Sequence, residues 1–74
     1  MTEGRGSVIV RTRPMGVTIT VDGHTIPRTT PFRFPIKPGS HTVILQKVGF
    51  QSVTRIVQVE EGKISEIDEL LSPQ

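Results

Sequence analysis

The side chains in this 74-residue chain that could do acid–base or metal chemistry are few: His24, His41 and seven carboxylates, with no cysteine. A hydrolytic site needs a nucleophile, a base and a group that orients the base. Here His24 follows Asp22-Gly23, His41 follows Pro38-Gly39-Ser40, and no Gly-x-Ser-x-Gly or comparable motif accompanies either. Two isolated histidines lack the close ligand spacing of a zinc site, and the carboxylates are not arranged as a calcium loop. The seven glycines stand singly at turns or termini, so no glycine-rich strand-to-helix loop is present to cradle a phosphate. The expectation is a non-enzymatic chain with no cofactor, no metal and no small-molecule substrate, in which both histidines are surface or strand-end residues.

Charge carries more information. Residues 1–55 hold eight Lys/Arg against Glu3 and Asp22, whereas residues 56–74 hold Lys63 against Glu60, Glu61, Glu66, Asp68 and Glu69, so a basic body ends in an acidic final segment. Arg11, Arg13, Arg33 and Lys37 fall where neighbouring strands share an outward face, a disposition able to contact phosphates. Single-strand binders add aromatic stacking platforms. This chain has no Tyr or Trp, and alternation directs Phe32 and Phe34 inward. Nucleic acid is therefore not the expected partner. The basic group and the acidic group are instead candidate protein-binding surfaces.

No run approaches the roughly 20 apolar residues that span a bilayer, and the start lacks the apolar stretch of a secretory signal. Membrane insertion by this segment is not expected. Residues 1–6 read as a leader or linker, 7–71 as one domain and 72–74 as a tail, the organisation of a domain cut from a longer protein.

The elements that position these side chains are strands. Val and Ile supply 17 residues and Thr 9, against 3 Leu and no Ala, a balance that favours pleated surfaces over helices. Turn chemistry punctuates the chain. Arg13-Pro14-Met15-Gly16 fits a type I turn, and Lys37-Pro38-Gly39-Ser40 a type II turn. Asp22-Gly23 fits a two-residue type I′ hairpin. Gly49 breaks the chain before Phe50, and Glu61-Gly62 reads as a further hairpin. Between turns the apolar residues alternate with period two. Val17, Ile19 and Val21 share a face, as do Phe32, Phe34 and Ile36, and Val43 and Leu45. Val53, Val57 and Val59 form a weaker face that Arg55 interrupts. The first strand, Ser7–Arg13, buries Val8 and Val10 in preference to Ile9, whose face carries Arg11 and Arg13. Residues 64–71 fit either a helical stripe (Ile64, Ile67, Leu71) or a strand, and the preceding Glu61-Gly62 favours the strand. Thr30-Pro31 sets the entry to the Phe32 strand. Pro35, lacking an N–H, places that strand at an edge or a bulge.

The order of these features resembles the PEGA domain. Gly6 before an apolar strand, Pro14-x-Gly16, Val21-Asp22-Gly23, Thr30-Pro31, Pro38-Gly39-x-His41 and Lys47-x-Gly49-Phe50 follow that family's pattern from residue 6 to about 71. Two positions depart from it: the naming Pro-Glu-Gly-Ala reads Pro14-Met15-Gly16-Val17, and Thr29 stands where a glycine often precedes Thr-Pro. The resemblance implies an all-β, transthyretin-like or immunoglobulin-like sandwich of about six or seven short strands with no enzymatic role. It also implies an accessory module of envelope or surface-layer proteins, of lipoproteins, or of membrane-anchored Ser/Thr kinases. It does not imply a ligand. The expected function is protein binding or self-association through edge strands and the two charge groups, with glycan or cell-wall binding as the alternative and nucleic-acid binding behind it.

Overall fold

Alternation of β-branched residues produces strands throughout residues 4–74, the part of the chain that the structure, a computed structural model, describes. Met1–Glu3, the first half of the expected leader, lie outside the described residues. The strands are β1 (Gly6–Arg13), β2 (Thr18–Val21), β3 (His24–Thr29), β4 (Phe32–Ile36), β5 (Gly39–Gln46), β6 (Val53–Val59) and β7 (Ile64–Leu70). They form a three-stranded sheet of order β4-β1-β7 and a four-stranded sheet of order β3-β2-β5-β6. Among the described residues no helix forms, so residues 64–70 take the strand reading. The architecture is a small all-β sandwich, as expected.

Each sheet turns its apolar row toward the other. Val8, Val10, Val17, Ile19, Val43 and Leu45 are fully buried, and Val21, Phe34, Val59, Ile67 and Leu71 complete the core. Burying one such side chain stabilises a fold by about 1.5–3 kcal/mol, so this single cluster is the main favourable term in so short a chain. Val8 and Val10 are the inward residues of β1, because Ile9, Arg11 and Arg13 take the opposite face. Phe32 and Ile36 pack at the margin of the cluster, with Val53 and Val57 on β6.

Turn chemistry is realised where backbone conformation is the constraint. Asp22 (φ 50°) and Gly23 (φ 83°) both adopt the positive φ of a type I′ turn, and β2 pairs with β3 from Val21 opposite His24. Gly16, Gly39, Gly49 and Gly62 also have positive φ. Phe50 N–H donates to Lys47 C=O at 3.0 Å, closing the turn at Gly49. The Pro14–Gly16 segment differs from an isolated type I turn. Its Gly16 N–H donates to Thr30 C=O at 3.0 Å, so the β3–β4 connection holds it.

The Glu61-Gly62 hairpin is the expectation the topology overturns. Lys63 N–H does donate to Glu60 C=O at 3.1 Å, so the tight turn exists. It does not join neighbouring strands, because β6 pairs with β5 and β7 pairs in parallel with β1. β1 captures the turn: Gly62 N–H donates to Arg5 C=O and Ser7 N–H to Lys63 C=O, both at 3.0 Å. The chain crosses from one sheet to the other here, and Ile67 of β7 and Leu71 just after it are buried beneath the facing sheet.

Candidate functional site

Parallel pairing of β1 with β7 sets the charged surface. The register places Ile9 beside Glu66, Arg11 beside Asp68 and Arg13 beside Leu70, with Arg33 of β4 on the other side of Ile9. These side chains are on the outer face, opposite buried Val8, Val10 and Ile67. Arg11, Arg13 and Arg33 therefore do share an outward face, and Lys37 follows directly after β4. The acidic Glu66 and Asp68 lie on the same face, and Arg11 Nη1 donates to Glu66 Oε1 at 2.9 Å. The two charge groups, separate in sequence, are interleaved in one sheet.

The other acidic residues take different places. Glu60 and Glu61 are in the β6–β7 turn, where Glu60 meets Lys63 Nζ at 3.2 Å. Glu69 alternates to the inner side of β7, where it accepts from Arg55 Nε at 2.6 Å and Nη2 at 3.0 Å. Arg55, which interrupts the apolar row of β6, thereby ties the margins of the two sheets together. Two fork-like bonds make this geometry more specific than a point charge would.

Edges are the second feature a binding role needs, since unpaired edge N–H and C=O groups accept another strand. Three of the four are blunted. On β4, Pro35 pairs with Ser7, whose N–H turns toward Lys63, so the missing proline donor belongs to the free edge. Pro35 thus sits on an edge strand, as its chemistry requires. On β3, Ile26–Arg28, with Pro27 among them, stand opposite the single residue Ile19 at a register shift, a bulge that spoils pairing. On β6, the Gln58 carbonyl accepts from Ser65 Oγ at 3.0 Å and the Thr54 carbonyl from Arg55 Nη1 at 3.3 Å.

His41 and Asp22 meet although neither stands out in sequence as a pair. The Asp22–Gly23 hairpin places Asp22 beside Thr42, whose N–H donates to Asp22 Oδ1 at 2.9 Å. The His41 ring lies between Asp22 Oδ2 at 2.6 Å from Nδ1 and the Lys37 carbonyl at 2.7 Å from Nε2. Both neighbours are acceptors, and only the doubly protonated ring donates from both nitrogens. The Asp22 bond, aided by the Lys37 carbonyl and opposed by burial, raises the His41 pKa above its ordinary value. The His41 bond, then the Thr42 N–H, lowers that of Asp22. The arrangement locks the Asp22–Gly23 and Pro38–Gly39 turns together. It leaves neither ring nitrogen directed at an approaching substrate. His24 is exposed at the start of β3.

Thr30 is bonded into the interior of the fold. Thr30 is 3% exposed, its hydroxyl accepts from Val17 N–H at 3.0 Å, and it meets Thr12 Oγ1 at 2.6 Å. Sequence reasoning missed the Thr12–Thr30, Asp22–His41 and Arg55–Glu69 pairs. The one available signal was an Arg in the inward register of β6, which needs a counter-charge.

Among the described residues no three His, Cys, Asp or Glu side chains gather as metal ligands. Open surface hollows lie among the described residues. One, of about 360 Å³, includes Thr18, Lys47 and Phe50; another, of about 310 Å³, is lined by Arg13, Asp68, Glu69 and Leu70. Comparison with curated proteins finds no match. The PEGA domain model matches residues 5–74, nearly the whole chain, and with the order of its turns and its two-sheet topology this chain belongs to the PEGA domain family.

Proposed function

We propose that this chain is a non-catalytic binding module that engages a protein partner, as part of a larger envelope-associated protein or complex. The observation that carries the reading is the open sandwich: two sheets that do not close on each other leave strand edges for pairing. Meanwhile its histidine–carboxylate pair is spent on internal bonds. The envelope setting comes from what family resemblance implies.

The interleaving of Arg11 and Glu66 on one face favours a foreign partner over a second copy. Charges that meet within one chain are not available to draw another copy into an array. Glycan binding lacks the Trp and Tyr platforms on which sugars stack.

The test immobilises the domain and offers envelope protein, purified peptidoglycan and chromogenic ester, peptide and glycoside substrates in parallel. Retention of the protein fraction that is lost after protease treatment, with no peptidoglycan retained and no turnover, is the expected result. Retention of peptidoglycan alone moves the reading to a wall-binding module. Turnover lost in His41→Ala overturns the non-catalytic reading.

A further inference from the structure

We propose that the free edge of β7 is a strand-docking site for an extended peptide segment bearing Lys or Arg at two alternate positions between apolar residues. This rests on the binding-module reading and assigns its surface and partner chemistry.

The hydrogen-bond register identifies the open groups. Ser7 N–H donates to Lys63 C=O at one end of the β1–β7 ladder, and Leu71 N–H donates to Arg13 C=O at 2.9 Å at the other. In a parallel ladder these bonds commit the odd-numbered residues Lys63 to Leu71 to β1. The N–H and C=O groups of Ile64, Glu66, Asp68 and Leu70 consequently turn to the free edge. No proline or bulge interrupts this stretch, whereas β3, β4 and β6 each carry a block.

The side chains of those four residues fix the partner. Ile64 and Leu70 are 52% and 74% exposed at the two ends, and between them lie Glu66 and Asp68. A docked strand would lie about 5 Å from β7 and about 10 Å from β1. The two carboxylates face it from β7, and because the Arg11 guanidinium reaches across to Glu66 at 2.9 Å, Asp68 is the charge it meets uncompensated. Arg11 compensates Glu66 but no ion pair engages Asp68 among the described residues. A second β7 is a poor occupant, because antiparallel pairing of two such edges sets carboxylates against carboxylates. The hollow lined by Arg13, Asp68, Glu69 and Leu70 lies at the Leu70 end of β7.

The test uses the 74-residue domain and the capped peptide Ile-Thr-Lys-Thr-Lys-Thr-Val, with a copy carrying Glu for Lys as control, followed by residue-resolved amide exchange and chemical-shift titration. In the free domain the Glu66 and Asp68 amides exchange fast and those of Ile67 and Glu69 slowly. The Lys peptide protects Glu66 and Asp68, and the Glu peptide does not. Asp68→Lys weakens binding about fivefold to tenfold, and Asp68→Asn, which adds no repulsion toward Arg11, weakens it less. Amides of Glu66 and Asp68 already protected in the free domain overturn the proposal. So do equal binding of both peptides, or no binding at millimolar peptide. A footprint on β3, β4 or β6 overturns this site while leaving a binding module elsewhere on the domain.

Discussion

The hydroxyls of Thr12 and Thr30 meet at 2.6 Å inside the fold, joining β1 to the β3–β4 connection. Thr12 Oγ1 donates its proton to Pro14 C=O at 2.7 Å, so Thr30 is the donor between the two hydroxyls and Thr30 Oγ1 in turn accepts from Val17 N–H. Among the described residues no buried side-chain nitrogen or oxygen lacks a hydrogen-bond partner. Thr30→Val keeps the shape but orphans the Val17 amide, at a cost of about 1–3 kcal/mol. Thr30→Ser keeps the hydroxyl and loses one methyl, about 0.8 kcal/mol. Urea unfolding should rank wild type above Thr30→Ser and Thr30→Ser above Thr30→Val. Equal losses in the two variants would show that packing rather than bonding matters here.

Gly6 is required for a steric reason. A Cβ built there would collide with Val59 Cγ1 and lie 2.6 Å from the Glu60 carbonyl oxygen. The backbone of the β6–β7 turn passes directly over β1, so the neighbour that must yield is main chain. Gly6→Ala should lower stability by about 1–3 kcal/mol. Gly23→Ala meets no neighbour but retains φ 83°, so its loss is conformational. Amide exchange separates the two, with Gly6→Ala loosening the Ser7–Lys63 end of β7 and Gly23→Ala loosening the β2–β3 hairpin.

The Asp22–His41 pair makes stability depend on pH with a defined sign. His41 is raised from its ordinary 6.5, so its contribution is complete below that value and is lost as pH rises through the folded-state pKa. Asp22 is lowered from 3.8, so its contribution is present above that value and is lost as pH falls through its folded-state pKa. The pair stabilises most between these two ordinary values. Denaturation midpoints measured from about pH 4 to about pH 9 should fall on the alkaline side. His41→Phe should flatten that fall. An alkaline slope that persists in the variant assigns it to another group.

Arg55 and Glu69 link the two sheets at the margin where β6 and β7 run close. The Arg55 side chain is 52% exposed, so solvent screening holds the coupling to about 0.5–1 kcal/mol in a double-mutant cycle of Arg55→Gln and Glu69→Gln. Molar salt should shrink it. A coupling of zero at low salt would mean the fork-like geometry adds nothing to the fold.

What the sequence discloses about this fold is whatever acts locally. Period-two alternation separates Val8 and Val10 from Ile9, because a strand offers a side chain only two directions. Asp22-Gly23 announces its hairpin, because few residue pairs tolerate two positive φ angles in succession. Pro35 announces an edge by lacking a donor. The neighbour of β7 has no such marker, since parallel pairing joins β7 to a strand from the other end of the chain. The same Glu61-Gly62 chemistry serves a hairpin or a crossover equally well. The charge groups were legible as groups, but their meeting on one face depends on that unmarked pairing. Asp22 and His41 meet only because two turns arrive at one end of the sandwich.

Parallel pairing of the first strand with the last also fixes how the domain answers tension. The chain enters at the Gly6 end of β1 and leaves past the Leu70 end of β7, at opposite ends of one ladder. Opposed pulls on those two points run along the strands and load the bonds from Ser7–Lys63 to Arg13–Leu71 together. A hairpin pulled from its open end parts one bond at a time. Shear of this kind makes rupture a concerted event, and the force-bearing element is the β1–β7 ladder.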